Sequence, residues 1–262
     1  MKKLLAALLA LCMILTMAAC GTKGSPLKKL QKAGKLVIAT SPDFPPFESL
    51  SGDGTVEGIE IDILNEVCQQ LGLTLEIQQM DFDSVLPGVQ AGKYDMGVSG
   101  ISVTEKRQKN VLFTDPYCLA AQAIVVREGS PITGKADLTG KTVAVQTGTT
   151  AESFCMENGY TVNAYAANND AQSALLQGKV DAWVIDDLTA ADMVKVYNAQ
   201  GGDQLVILSE AMTTEPYAFA MAFGSEDTIA AINGVLNTML SDGTIAGIFE
   251  KYEAPFTSPA EG

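Results

Sequence analysis

The stretch Ser99-Gly100-Ile101-Ser102-Val103-Thr104-Glu105-Lys106-Arg107 gathers hydroxyls, backbone N–H groups and one guanidinium within nine residues. A planar guanidinium with five donors suits bidentate capture of a carboxylate. The stretch follows a strand-like run, Tyr94 to Val98, and its pattern opens a short helix at Thr104. N–H groups at a helix start have no internal partners and favour an anion. These residues read as half of a site for a small acid. A second turn into a helix, Thr147 to Thr150, has Thr149 and Glu152 at capping-box spacing. Asp186 follows the apolar run Val180 to Ile185 and could take a cation. An anion clamp opposite a cation clamp describes a zwitterion, which points to an α-amino acid. Phe44 and Phe82 could sandwich its side chain. Each residue also has a plainer role open to it: Arg107 on a helix surface, Asp186 and Thr149 as helix caps, the two phenylalanines in a core.

The chain has no histidine, which removes Ser-His-Asp and Cys-His catalysis and most zinc chemistry. Beyond Cys12 and Cys20, the cysteines are Cys68, Cys118 and Cys155, an odd set without close spacing. That is neither a disulfide framework nor a metal motif, and each suits a small apolar core position. No metal or cofactor is implied.

The elements that must position the site alternate. Lys35 to Thr40 reads as a strand, ended by the proline-rich loop Ser41 to Phe47. Apolar residues at 59, 63, 64, 67 and 71 form a helical stripe closed by Gly72. Strand, helix and strand follow at 73–77, 82–91 and 95–98. Beyond a β-rich stretch, 111–126, the order resumes with strands at 141–146, 161–165 and 180–185 and helices at 170–177 and 188–197. A strand at 216–223 and helices at 227–240 and 244–252 close the pattern, and 255–262 reads as a disordered tail. Such alternation predicts an α/β fold with mixed, mostly parallel sheets. Gly92-Lys93-Tyr94-Asp95-Met96-Gly97-Val98 matches Gly178-Lys179-Val180-Asp181-Ala182-Trp183-Val184. This repeat predicts two similar lobes. Ligands in open α/β sheets bind beyond the carboxyl ends of strands. That rule brings Ser99-Gly100, Thr147 to Thr150 and Asp186 to one cleft between the lobes.

The N-terminus is a separate matter. Lys2 and Lys3 precede an apolar run from Leu4 to Ala19, the layout of a signal peptide over residues 1–19. Leu15-Thr16-Met17-Ala18-Ala19-Cys20 resembles a lipobox, with Met17 where leucine is usual. It predicts lipid attachment at Cys20 and a flexible lipidated tether over 20–27; ordinary cleavage nearby, with Cys20 unmodified, is the alternative. The expected location is the extracytoplasmic face of the cell membrane, reached through that anchor. Without Lys2 and Lys3, the 17 basic residues become 15 against 31 acidic, a charge of −16. That excludes a nucleic-acid partner, which needs a basic face.

The segments TSPDFPPFES, GIEIDILNEVCQQLG, DFDSVLPGVQAGKYDMGVSGISVTEKR, FTDPY and TVAVQTGTTAES together resemble the solute-binding proteins of polar amino-acid ABC transporters. The similarity is strongest to the histidine, lysine-arginine-ornithine and glutamine binders, and runs from Leu30 to Tyr252 in order. The resemblance implies a two-lobed type II periplasmic-binding-protein fold. Lobe 1 would hold residues 28–117 plus 218–255, lobe 2 residues 118–217, and 256–262 a tail. Two strands near Ala121 and Tyr217 would form the hinge. By position, Arg107 takes the ligand carboxylate, assisted by Ser102 and the backbone at Thr150, with Thr149 adjacent. Asp186 takes the ammonium, with Ser102 or the Gly100 carbonyl. Phe44 and Phe82 flank the side chain, and Ser41, Ser99 and Gln146 line its pocket. Many relatives with cationic or glutamine ligands carry an acid where this chain has Ser41, while Asp43 lies two residues on. Gly100 departs from the histidine type and matches the glutamine type. Cys68 matches a family disulfide position whose usual partner is not cysteine here.

The implied function is a monomeric binding protein that closes on a free L-α-amino acid, with a polar, neutral or cationic side chain, and delivers it to a permease. No bond is broken. Two alternatives use the same fold. A dehydratase would need a general acid in the pocket, and Asp186 is the one obvious carboxylate. A sensor module would report an extracellular amino acid to a receptor.

Overall fold

The computed structural model describes residues 24–202, 204–210 and 212–261. The expected signal peptide and Cys20 lie outside them. Helix α1 (Pro26–Ala33) begins the described chain, with Ser25 as its cap and Pro26 in its first turn. The Ser25 hydroxyl donates to Asp227. Residues 25–27, expected to lie in the tether, instead cap and open this helix. The elements then run β1 (Lys35–Thr40), β2 (Asp43–Phe44), β3 (Glu48–Leu50), β4 (Val56–Glu57), α2 (Ile59–Leu71), β5 (Thr74–Gln79), α3 (Phe82–Gln90), β6 (Met96–Gly97), α4 (Glu105–Gln108) and β7 (Leu112–Phe113). Strand β8 (Cys118–Ala120) leads to β9 (Gln122–Arg127), β10 (Thr142–Gln146), α5 (Thr150–Glu157), β11 (Thr161–Tyr165), α6 (Asn168–Leu176), β12 (Ala182–Asp186), α7 (Asp187–Asn198) and β13 (Leu205–Ile207). Strands β14 (Glu215–Tyr217) and β15 (Ala220–Met221) and helices α8 (Glu226–Ser241) and α9 (Thr244–Lys251) follow.

Two five-stranded sheets carry the structure, in the orders β5-β1-β6-β15-β7 and β11-β10-β12-β9-β13. In the first, β5, β1 and β6 are parallel and β15 is antiparallel to β6. In the second, β11, β10 and β12 are parallel and β9 is antiparallel to β12. The two sheets thus share one layout. The strands β8 and β14, which carry the chain between the sheets, pair antiparallel with each other. The prolines after β1 do not leave a bare loop: β2, β3 and β4 form a small antiparallel sheet.

The internal repeat has a structural cause. Gly92 and Gly178 both turn the chain out of a helix at φ 68° and 69°. Three residues on, Asp95 Oδ2 accepts from Val37 N at 2.8 Å, and Asp181 Oδ2 accepts from Thr142 N at 2.8 Å. Each aspartate clamps the central strand of its sheet to the neighbouring one. The repeated residues build the two sheets and are not among those that line the cavity between them.

Apolar runs explain the core. The central strands β10 and β12 are buried almost throughout, as both faces of a parallel sheet covered by helices must be. Helix α2 turns its apolar stripe inward, with Ile59, Ile63, Leu64 and Val67 buried. It can start only at a glycine: Gly58 has φ 143°, and a Cβ there would lie 2.1 Å from Phe47 O. The C-terminal tail is docked rather than disordered. Thr257 O accepts from Leu119 N at 3.0 Å, and Phe256 packs on Phe249 at 5.1 Å. Among the described residues no helix is long and apolar enough to cross a membrane.

Candidate functional site

The carboxyl ends of the strands converge. Phe44, Phe82, Ser99, Gly100, Ser102, Arg107, Gln146, Thr149, Thr150 and Asp186 bound one tight cavity of about 10 Å³ between the two sheets. The exception among the sequence candidates is Ser41. It is buried behind the wall, its N–H on Ser99 Oγ at 3.2 Å and its hydroxyl on Asp43 Oδ1 at 2.8 Å.

Arg107 enters from α4, whose cap Thr104 accepts from Arg107 N at 3.2 Å. The guanidinium donates to Ser102 O at 2.9 Å and, across the cleft, to Gly148 O at 3.2 Å. It lies over the Phe82 ring, 5.5 Å from the centroid. Burial pushes its pKa down, against the charges of Glu215 and Asp186. The ion pairs among the described residues are Lys35–Glu76, Lys135–Glu210, Lys195–Glu253 and Lys251–Asp62, so Arg107 has no carboxylate within 4.0 Å. A charged fork with donors to spare faces the cavity.

Asp186 stands at the other end. It caps the start of α7 by position, yet its side chain makes no cap bond. Instead Oδ1 accepts from Gln122 Nε2 at 2.7 Å. Asp187 takes the local role, accepting from Leu188 N at 2.8 Å and Ala121 N at 3.2 Å. Burial and the charge of Glu215 push the Asp186 carboxyl well above the usual range.

Glu215, on β14, was not among the candidates. It is buried, 6% exposed. Its Oε2 accepts from the Thr150 hydroxyl at 2.8 Å and from the Ser102 hydroxyl, and Oε1 from Thr213 Oγ1 at 3.0 Å. Glu215 thus stands behind Ser102 and Thr150, while Asp186 is the acid among the residues that line the cavity. Thr149 is a cap, as its spacing predicts: its oxygen accepts from Glu152 N at 3.1 Å and its hydroxyl donates to Gln146 O at 2.7 Å. The other half of a capping box is displaced, because Glu152 accepts from Gly148 N at 2.7 Å.

Several of the N–H groups expected to be free at Ser99 to Arg107 are taken. Gly100 N donates to Glu60 Oε2 at 3.0 Å and Val103 N to Pro216 O at 2.9 Å. Behind the cavity wall, Ser99 Oγ donates to Glu48 Oε1 at 2.7 Å, and Tyr117 Oη to Glu60 Oε1 at 2.6 Å. Both glutamates are fully buried. Burial, reinforced by the neighbouring Glu60, raises the Glu48 carboxyl well above its ordinary range.

Asp43 crosses the cleft. It accepts from Gln146 Nε2 at 3.1 Å and from Asn168 N, in the first turn of α6, at 2.7 Å. A carboxylate suits that helix end. Burial raises its pKa, with these hydrogen bonds acting against the rise.

The family described as bacterial extracellular solute-binding proteins, family 3, matches residues 36–255. A probable histidine-binding protein of Neisseria gonorrhoeae is 31% identical, over 97% of this chain and 96% of its own length. The arginine-binding extracellular protein ArtP of Bacillus subtilis is 30% identical, over 96% of this chain and 98% of its own. The crystal structure of a mutant of ArgBP from T. maritima superposes with a TM-score of 0.81 at 36% identity, covering 87% of this chain and 98% of that one.

Proposed function

We propose that this chain, which belongs to the bacterial extracellular solute-binding proteins of family 3, closes on one free L-α-amino acid and delivers it to the permease of an ABC importer. The observation that carries the reading is the polarity of one cavity: an unpaired guanidinium at one end and a buried carboxyl at the other. Arg107 holds the ligand carboxylate, with N–H groups at the start of α5. Asp186 holds the ammonium. Phe44 and Phe82 flank a polar side chain, neutral or cationic, which matches the histidine and arginine named for two relatives. Lobe 1 comprises residues 28–117 plus 218–255, and lobe 2 residues 118–217. The paired strands β8 and β14 serve as the hinge. Closure is driven by contacts that exist in one state only. The protein works as a monomer held to the membrane through a lipid on Cys20.

Arg107→Ala leaves a desolvated carboxylate unpaired and lowers amino-acid affinity by more than about 2 kcal/mol. Near-normal affinity in titration calorimetry would sink the assignment. A dehydratase on the same fold would need a general acid in the pocket, and Asp186 is the carboxyl among the cavity's lining residues. Turnover of a prephenate-like cyclic acid by the purified protein would establish that reading in place of transport.

A further inference from the structure

We infer that Glu215 is a positioning residue of the amino-acid site: it fixes the Ser102 and Thr150 hydroxyls as acceptors toward the ligand ammonium and joins the two half-sites on closure. The inference rests on the amino-acid reading above. A serine or threonine hydroxyl has one proton to donate and two lone pairs. Ser102 and Thr150 both donate to Glu215 Oε2. Both residues also line the cavity. With the proton committed behind, each oxygen offers only lone pairs in front. One Thr150 lone pair is taken by Gln122 Nε2 at 3.2 Å, the same amide that holds Asp186 at 2.7 Å. Beside the Asp186 carboxyl, the Ser102 and Thr150 hydroxyls thus form an end of the cavity where both oxygens accept and do not donate. An ammonium, with three donors and no acceptor, is the group that such an end takes. Without Glu215, either hydroxyl could rotate to donate toward the ligand carboxylate, and the two ends of the cavity would lose their distinction.

The position of Glu215 supports the second half of the inference. Ser102 belongs to the segment after β6, in the first sheet, and Thr150 to the helix after β10, in the second. Glu215 sits on β14, which carries the chain between them. Ser102 bridges to Tyr217 on that same strand, and Val103 N donates to Pro216 O at 2.9 Å. Residues 215 and 217 share a strand face. One oxygen atom therefore collects a hydroxyl from each half-site, and both bonds exist together only when the lobes are closed. A simple counter-charge for Arg107 is a weaker account, because among the described residues no carboxylate comes within 4.0 Å of that guanidinium.

A double-mutant cycle tests it. A thermal-shift panel of the twenty amino acids with ornithine and cystine selects the probe, and calorimetry gives its affinity. Glu215→Gln, which puts a donor where an acceptor stood, is expected to weaken binding tenfold or more. In a Ser102→Ala, Thr150→Val background the same change is expected to cost less than threefold, because the hydroxyls it acts through are gone. Equal fold-losses in the two backgrounds would overturn the inference and leave the amino-acid reading standing. A wild type that binds no member of the panel would overturn both. If Glu215→Gln lowers the melting temperature of the ligand-free protein by more than ten degrees, Glu215→Asp replaces it in the cycle. That variant keeps a carboxylate and is expected to lose less than Glu215→Gln, again with the loss confined to the background that retains the hydroxyls.

Discussion

Gly100→Ala gives the sharpest test of how the cavity wall is built. Gly100 has φ 53°, and a Cβ there would lie 2.4 Å from Phe44 Cε1 and 3.2 Å from Tyr217 Cε2. Two costs follow. An L side chain in the left-handed region costs roughly 1–2 kcal/mol. Forcing the aromatic ring aside costs about 1–3 kcal/mol more, as overpacking does. The ring has little room to yield: Phe44 stacks on Phe47 at 5.7 Å, and Phe47 and Tyr217 are fully buried. The sum, about 2–5 kcal/mol, lowers the melting temperature of a domain this size by roughly 4–20 °C. Gly129→Ala separates the terms, because Gly129 has φ 76° and nothing within 4 Å of its Cβ position. It should show the backbone cost alone. Differential scanning calorimetry of both variants, with ligand affinity measured alongside, reads the difference. Equal shifts in the two variants, with wild-type affinity for Gly100→Ala, would refute the packing argument.

Glu48 makes stability depend on pH. Its folded pKa is raised by burial and by Glu60, so the unfolded chain releases its proton first, and stability falls as pH rises from the ordinary carboxyl range through the raised value. Asp43 and Asp186 act in the same direction. Glu48→Gln should therefore flatten the fall in melting temperature above about pH 5 without abolishing it; an unchanged slope would count against a proton on Glu48. Asp43→Ala strips Gln146 Nε2 and Asn168 N of a cross-cleft acceptor. Ligand affinity should drop by about 1–3 kcal/mol, and calorimetry showing wild-type affinity would contradict a role in closure. The buried thiols of Cys68, Cys118 and Cys155 should resist a thiol reagent in the native protein, since burial pushes Cys68 up to about 11 and Cys155 up to about 12. Prompt labelling of all three before unfolding would show a more open interior.

What could be read from the sequence was what repeats locally. Helix α2 shows its stripe and its closing Gly72, and the Gly-Lys-x-Asp turns announce two matched sheets. Arg107 and Asp186 stand out by charge beside apolar strands. Glu215 did not, because its partners at the cavity, Ser102 and Thr150, lie 113 and 65 residues away and no spacing encodes them. A faint signal existed: a lone acid between Thr213-Thr214 and Pro216-Tyr217, where the chain returns to the first lobe. Glu48 and Glu60 were hidden for a different reason. Glu48 directly follows a proline loop and Glu60 lies in a helical stripe, patterns that already had an explanation, so their burial was unforeseen. The reach of Asp43 across the cleft depends on the small β2-β3-β4 sheet, whose strands of two or three residues are too short for periodicity to reveal.

Asp95 and Asp181 tie each sheet at the end away from the cleft. Strand register is settled there, by two carboxylates that never meet the ligand. The residues at the opposite ends are free of that duty, so replacing Phe44, Phe82 or Gln146 alters what the cavity accepts while the sheets keep their alignment. Evolvability is the consequence. A lineage founded on this frame can trade one amino acid for another through a few cleft positions, and a laboratory library restricted to those positions should yield new specificities far more often than unfolded protein.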